Sequence, residues 1–236
     1  MRLSVVTALS VLCLSAPVHA AAPSFDCTKA TATDEKAICA DAKLSKLDVA
    51  LNDGYTRMVA ALGKDTANKV HAPFLRRRHA CKANAACILK NGQSELPVLM
   101  LADPGFVPPP GFAAPLAPSY DVLKKQFKRG ECMLTTVAEL GPRLCEPDAN
   151  GKCPDNLPFD DSGDSITATS GVYGVNYDRV PALEKSKLGD KLLLCLNSIP
   201  TNCPKGDDRG YWWNWKNLRT GGIWKLPDAQ HMCGGA

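Results

Sequence analysis

The sequence predicts an α+β fold in which a small disulfide-braced helical domain is followed by a compact antiparallel β-rich domain. Three observations carry that reading. Apolar residues recur at helical spacing up to about residue 102. A stretch with six prolines and two glycines, residues 103–118, then interrupts the chain. Beyond it, short apolar runs alternate with turn clusters as far as residue 236.

The chain opens with the features of a signal peptide. Arg2 supplies a positive start, Leu3 to Leu14 an apolar run, and Val18-His19-Ala20 a small-x-small end, so cleavage is expected after Ala20 or Ala21. That run is shorter than the twenty or so apolar residues a spanning helix needs, and no other stretch qualifies as a transmembrane segment. The expected organisation is residues 1–21 as leader, 22–102 as helical domain, 103–118 as linker and 119–236 as β-rich domain. About 215 residues after the leader is enough for two small domains. The net charge of +4, less Arg2, is too mild for a nucleic-acid partner.

Cysteine usage points outside the cytosol, to a periplasmic or secreted location. Of eleven cysteines, Cys13 leaves with the leader, and ten remain: Cys27, Cys39, Cys81, Cys87, Cys132, Cys145, Cys153, Cys195, Cys203 and Cys233. Such a density of thiols is unusual in a reducing compartment and favours disulfides. No Cys-x-x-Cys occurs, so metal ligation is not expected, and no cofactor is implied. The proline-rich stretch divides the ten into four and six, both even, so each half can close its own bridges.

In the first half, Thr31 or Thr33 is placed to cap a short helix with Asp34 and Glu35 in its first turn. Leu44, Leu47, Leu51, Tyr55, Met58, Val59 and Leu62 follow on one helical face, and Gly63 is placed to stop it. A third helix is expected from Asp65 to Cys81, kinked or restarted at Pro73. A fourth, Cys87 to Met100, is interrupted by Gly92 and Pro97. The consecutive Arg76, Arg77 and Arg78 read as a solvated helix face with Arg78 tucked against it. The proline-rich stretch reads as an extended, semi-rigid connector.

In the second half, a helix is expected near Tyr120 to Lys128, and strands in "DSITATSGVYGVNY", "KLLLCLNSI" and "YWWNWKNL". Turns are expected at 160–164, 187–190, 202–210 and 220–222. Strand alternation sends Tyr211, Trp213 and Trp215 to one face and Trp212 to the other. One face is expected to be core. Together with Trp224 and Arg219, these residues are the candidate binding surface, because sugar rings stack on flat apolar side chains beside hydrogen-bonding groups. Asp228, His231 and Cys233 are the residues of a lesser reading as a Cys/His hydrolase. Since Cys233 completes the even cysteine count, no catalytic residue is assigned. The Asp160 to Ser165 loop lacks the spaced oxygen ligands of a calcium site and reads as a turn.

Residues 23 to about 100 resemble the N-terminal domain of the LprI-like lysozyme-inhibitor family of exported bacterial proteins. The resemblance rests on Phe25-Asp26-Cys27, the Thr33 to Cys39 segment with Glu35-Lys36-Ala37-Ile38, Leu44 and Leu47-Asp48 in the next helix, and Tyr55. It continues in "FLRRRHAC", where Phe74, Arg78 and Cys81 occupy the family's aromatic, arginine and cysteine positions, and in Cys87. It implies a disulfide-braced helical hairpin in the cell envelope, and an inhibitory protein with lysozyme or a related muramidase as partner. Antiparallel packing of the hairpin brings Cys39 towards Cys81 and leaves Cys27 for Cys87, whereas local pairing joins Cys27 to Cys39 and Cys81 to Cys87. The sequence leaves both pairings open. The second half is unassigned, and peptidoglycan fragments held on its tryptophan strand are the alternative partner.

Overall fold

The computed structural model describes residues 22–115, 118–146, 149, 154 and 157–235. The expected leader and Cys153 lie outside the described residues. The order of elements is α+β as expected: a helical layer held by disulfides, then a six-stranded antiparallel sheet that curls on itself.

Four helices form the first layer: α1 Thr33–Ala40, α2 Ala42–Leu62, α3 Lys64–Ala80 and α4 Ala85–Ala102. Neither Thr31 nor Thr33 caps α1. Ala32 holds the cap position, and the Glu35 carboxylate accepts from the backbone N–H groups of Thr31 and Ala32 at 3.2 Å each. Asp41 turns the chain into α2 by accepting from Lys43 N and Leu44 N. Gly63, at φ 80°, stops α2 as its position predicts. The expected interruptions at Pro73 and Pro97 do not divide α3 or α4. Burial of Val70 and Phe74 on α3, and of Ile88, Leu96 and Leu99 on α4, outweighs a proline penalty of about 3 kcal/mol per helix. Gly92 has a packing role. A Cβ there would lie 2.7 Å from Leu47 Cδ2, so the glycine lets α4 lie directly on α2.

The sheet comprises β1 Cys132–Pro142, β2 Asp164–Ala168, β3 Tyr173–Val175, β4 Lys191–Ser198, β5 Trp212–Asn217 and β6 Ile223–Pro227, in the order β3-β2-β1-β4-β5-β6. Short helices α5 Tyr120–Lys124 and α6 Pro181–Glu184 complete the fold. The strands expected from the three quoted segments are present, whereas β1 and β6 were not anticipated. The curl brings β3 towards the far edge. A Cβ on Gly174 in β3 would meet Trp215 Cζ2 at 2.8 Å and Leu226 Cδ1 at 2.9 Å, atoms of β5 and β6. The interior of the curl holds Met133, Val137, Ile166, Leu192, Leu194, Leu196, Trp213, Trp215 and Leu226.

The outer face is also apolar where it is covered. Cys132 and Leu134 of β1 and Leu193 of β4 join Leu47, Met58, Phe74 and Leu99 of the helices in one cluster. The proline-rich stretch contributes Phe106 and Phe112 to the same cluster, both buried. Packing at these two aromatic residues anchors the segment, which proline also stiffens.

Local pairing prevails in the first half: Cys27 bonds Cys39 and Cys81 bonds Cys87. In the second, Cys132 bonds Cys195 across β1 and β4, and Cys203 bonds Cys233. Cys145 is also disulfide-bonded. Such bridges mark an oxidising, extracytoplasmic compartment. Among the described residues, no helix is long and apolar enough to cross a membrane.

The curl predicts a specific sensitivity. Gly174→Ala should destabilise the protein by about 1–3 kcal/mol, because the rigid Trp215 ring leaves a methyl group no room. Urea unfolding that gives an unchanged midpoint would refute the close approach of β3 to β5 and β6.

Candidate functional site

Strand alternation places the aromatics of β5 as the sequence predicts, and burial decides what they do. Tyr211 is 7 % exposed, and Trp213 and Trp215 are fully buried. Trp224 on β6 lies opposite Trp215 in register and stacks on it, with ring centroids 6.4 Å apart. Tyr211, Trp213, Trp215 and Trp224 are therefore core side chains and not a ligand platform, because a curled sheet has a deep interior that large rings fill. Arg219 is likewise committed. Its guanidinium donates to both oxygens of Asp190, at 2.5 and 2.7 Å, and to the Lys185 carbonyl. Those bonds hold the Asp190 carboxyl well below the usual carboxylate range. Trp212 alone among the four tryptophans is partly exposed, on the outer face with Asn214 and Lys216, and Lys225 Nζ sits 5.0 Å from its ring centre.

The lesser catalytic reading loses its nucleophile. Cys233 is bonded to Cys203, so no thiolate is present for His231 to activate. Asp228 anchors the sheet end. It accepts from Gly210 N, Tyr211 N and the Tyr120 hydroxyl, which in turn accepts from Trp213 Nε1. Burial and then the Asp228 charge push the Tyr120 phenol up, so it stays a neutral donor. The Asp160 loop is a turn: Asp160 accepts from Ser162 N, while Asp164 accepts from Val180 N. Among the described residues, no group of His, Cys, Asp and Glu could hold a metal ion.

Asp48 and Arg78, two of the residues quoted for the resemblance, share a buried network with Asp34, Ser24 and His79. Asp34, 1 % exposed, accepts from Arg78 Nε at 2.9 Å and lies 3.0 Å from His79 Nδ1. Asp48 accepts from Ser24 N and Oγ and lies 3.7 Å from Arg78. Burial by itself would raise the Asp34 carboxyl, but the His79 hydrogen bond and the Arg78 charge outweigh it and hold it below its ordinary value. The arginine run is not a solvated face. Successive helical residues point about 100° apart. Arg76 accordingly reaches Glu131 and the Gln126 carbonyl, Arg77 reaches Asn91, and Arg78 reaches Asp34. Arg76 thereby ties α3 to the turn before β1.

A concave surface of about 720 Å³ lies where the layers meet, between α3, α4, α5 and the start of β1. Val70, Pro73 and Arg77 form one wall, and Lys90, Asn91, Ser94, Glu95 and Val98 the next. Pro115, Val122, Phe127 and Met133 lie opposite. Glu95 is 2 % exposed and lies 3.0 Å from His71 Nδ1. Burial, only partly offset by His71, raises the Glu95 carboxyl. Burial also lowers the Arg77 guanidinium. The sequence did not single out this cleft, since its walls come from four separate segments.

No protein-family model matches the chain, and neither a curated protein nor a solved structure matches it significantly.

Two outcomes follow from these placements. Iodide quenching of tryptophan fluorescence should be strong in the native protein and largely lost in Trp212→Phe. Equal quenching in both would show that one of the other three tryptophans reaches solvent. Asp34→Asn should cost about 3 kcal/mol at pH 7, because it removes the buried carboxylate that Arg78 hydrogen-bonds. The Asp34 carboxyl is depressed in the folded state, so its contribution is full above the unfolded value near 4 and fades as pH falls through the lower folded value. Urea midpoints of wild type and variant should therefore converge below about pH 4, and a constant difference down to acid pH would refute the ion pair.

Proposed function

We propose that the chain is an exported, non-enzymatic binding protein of the cell envelope, with lysozyme or a related muramidase as the target that the resemblance of residues 23 to about 100 implies. One observation carries the binding part. The cleft between the helical layer and the sheet combines apolar walls with a few convergent polar groups, in the size range of ligand sites. The residues of the Cys/His reading are spent on structure: Cys233 in a disulfide and Asp228 on a tyrosine and two backbone donors. A periplasmic or secreted location belongs to the same reading and is supported by the disulfides. Because animal lysozymes are basic and this chain carries a net positive charge, shape has to supply any affinity between them.

A second reading rests on Trp212. Its ring shares the outer face of β5 and β6 with Asn214, Lys216 and Lys225, an arrangement suited to stacking one sugar of a peptidoglycan fragment.

A turbidity assay on cell-wall suspensions tests the primary target, using the whole mature chain because the two layers share a core. Lysis should slow at stoichiometric protein. Undiminished lysis at large molar excess removes lysozyme as the partner. Trp212 emission that shifts with soluble muropeptides, and no longer does so in Trp212→Phe, would favour the second reading.

A further inference from the structure

The same cleft points to a chemical class of ligand. Helices α3 and α4 run antiparallel and are joined at one end by the Cys81–Cys87 bridge. That end of the cleft carries two cations, Arg77 one turn before the bridge and Lys90 one turn after it. Neither has a carboxylate in hydrogen-bonding contact. Arg77 uses only Nε, on Asn91 Oδ1 at 3.0 Å, and Lys90 is exposed with no polar partner among the described residues. Away from the bridge, Val70, Pro73 and Val98 make the walls apolar, with Phe127 and Met133 across from them. About two helical turns, roughly 10 Å, separate Arg77 from Val70.

The acids nearby do not cancel this asymmetry. Glu131 is taken by Arg76. Glu95 is buried against His71, 3.0 Å from its Nδ1, and makes no hydrogen bond to Arg77. One polar atom in the lining also lacks a partner: Ser170 Oγ is shielded from solvent and makes no hydrogen bond. A guanidinium half removed from water, with its two terminal nitrogens unpaired among the described residues, favours an anion that restores its hydrogen bonds.

We infer that the cleft binds an anionic amphiphile of the fatty-acid class, its carboxylate at Arg77 and Lys90 and its unbranched chain along Val70, Pro73 and Val98. This rests on the reading of the chain as a binding protein and is independent of lysozyme as its target. The chain provides apolar burial, and the two cations select against uncharged and cationic amphiphiles.

Calorimetric titration of the mature protein with sodium dodecanoate below its micelle concentration tests the assignment. The expected result is saturable one-to-one binding, with no detectable binding of acetate and much weaker binding of dodecyltrimethylammonium. Lys90→Glu, at an exposed position without partners, should weaken dodecanoate about fivefold. Arg77→Gln should weaken it about tenfold or more, with circular dichroism confirming the fold. Absence of dodecanoate binding overturns the inference. So does equal affinity for the cationic amphiphile, or an affinity unchanged in Lys90→Glu. A negative lysozyme assay leaves each of these outcomes intact, so failure of the target and failure of the ligand class are distinguishable.

Discussion

The structure depends on the apolar outer face of β1 and β4. Leu134, Leu193 and the Cys132–Cys195 bridge point away from the curled interior and would lie in water if nothing covered them. Burying two leucines and a disulfide is worth several kcal/mol, at about 25 cal/mol per Å² of apolar surface. The helices supply the cover, with Phe74 of α3 and Leu96 and Leu99 of α4 in the same cluster. The helical half and the sheet thus share a core, although no disulfide among the described pairs crosses between them.

That shared core sets the positions of the remaining groups. Because α3 must lie on β1, its arginines leave the helix in three directions towards three neighbours. Arg76 fastens the helix to Glu131, Arg77 faces the cleft, and Arg78 closes the network around Asp34. The cleft opens where α3 and α4 diverge from the twisted sheet on which they pack. The proline-rich stretch also serves the shared core. Phe106 packs close to Gly54 of α2, and Phe112 lies under Lys43, so the chain crosses between layers while anchored at two aromatic residues.

Much of the fold was legible because its signals are local. Helical spacing in α2, the stop at Gly63 and the turn clusters of the second half each depend on neighbours in sequence. The "KLLLCLNSI" run carried more information than its strand assignment used. A strand apolar on successive residues is apolar on both faces, which already requires a second layer. β1 was missed because Thr135, Thr136 and Glu139 break its apolar pattern; Thr135 is buried by bonding Thr169, a partner 34 residues away. The cleft was not legible at all. Its polar end joins residues 77 and 90 and its apolar end residues 70, 98, 127 and 133, a grouping that exists only after the sheet has docked on the helices.

The tryptophan cluster shows why composition alone misleads about sites. Rings crowded into one strand resemble a sugar platform, yet the same crowding is what a small curled sheet needs. Six strands that bend until β3 approaches β6 enclose a volume too deep for aliphatic side chains to fill from the walls. Trp213 and Trp215 reach into that space from β5, and Gly174 gives way on the facing strand so that the Trp215 ring fits. Size on one strand is matched by absence of a side chain on another. The pairing of a bulky residue with a glycine across the interior, rather than the aromatics themselves, distinguishes a core ring from a binding ring. By that criterion Trp212, on the outer face with polar and charged neighbours, is the residue of the cluster left available for a ligand.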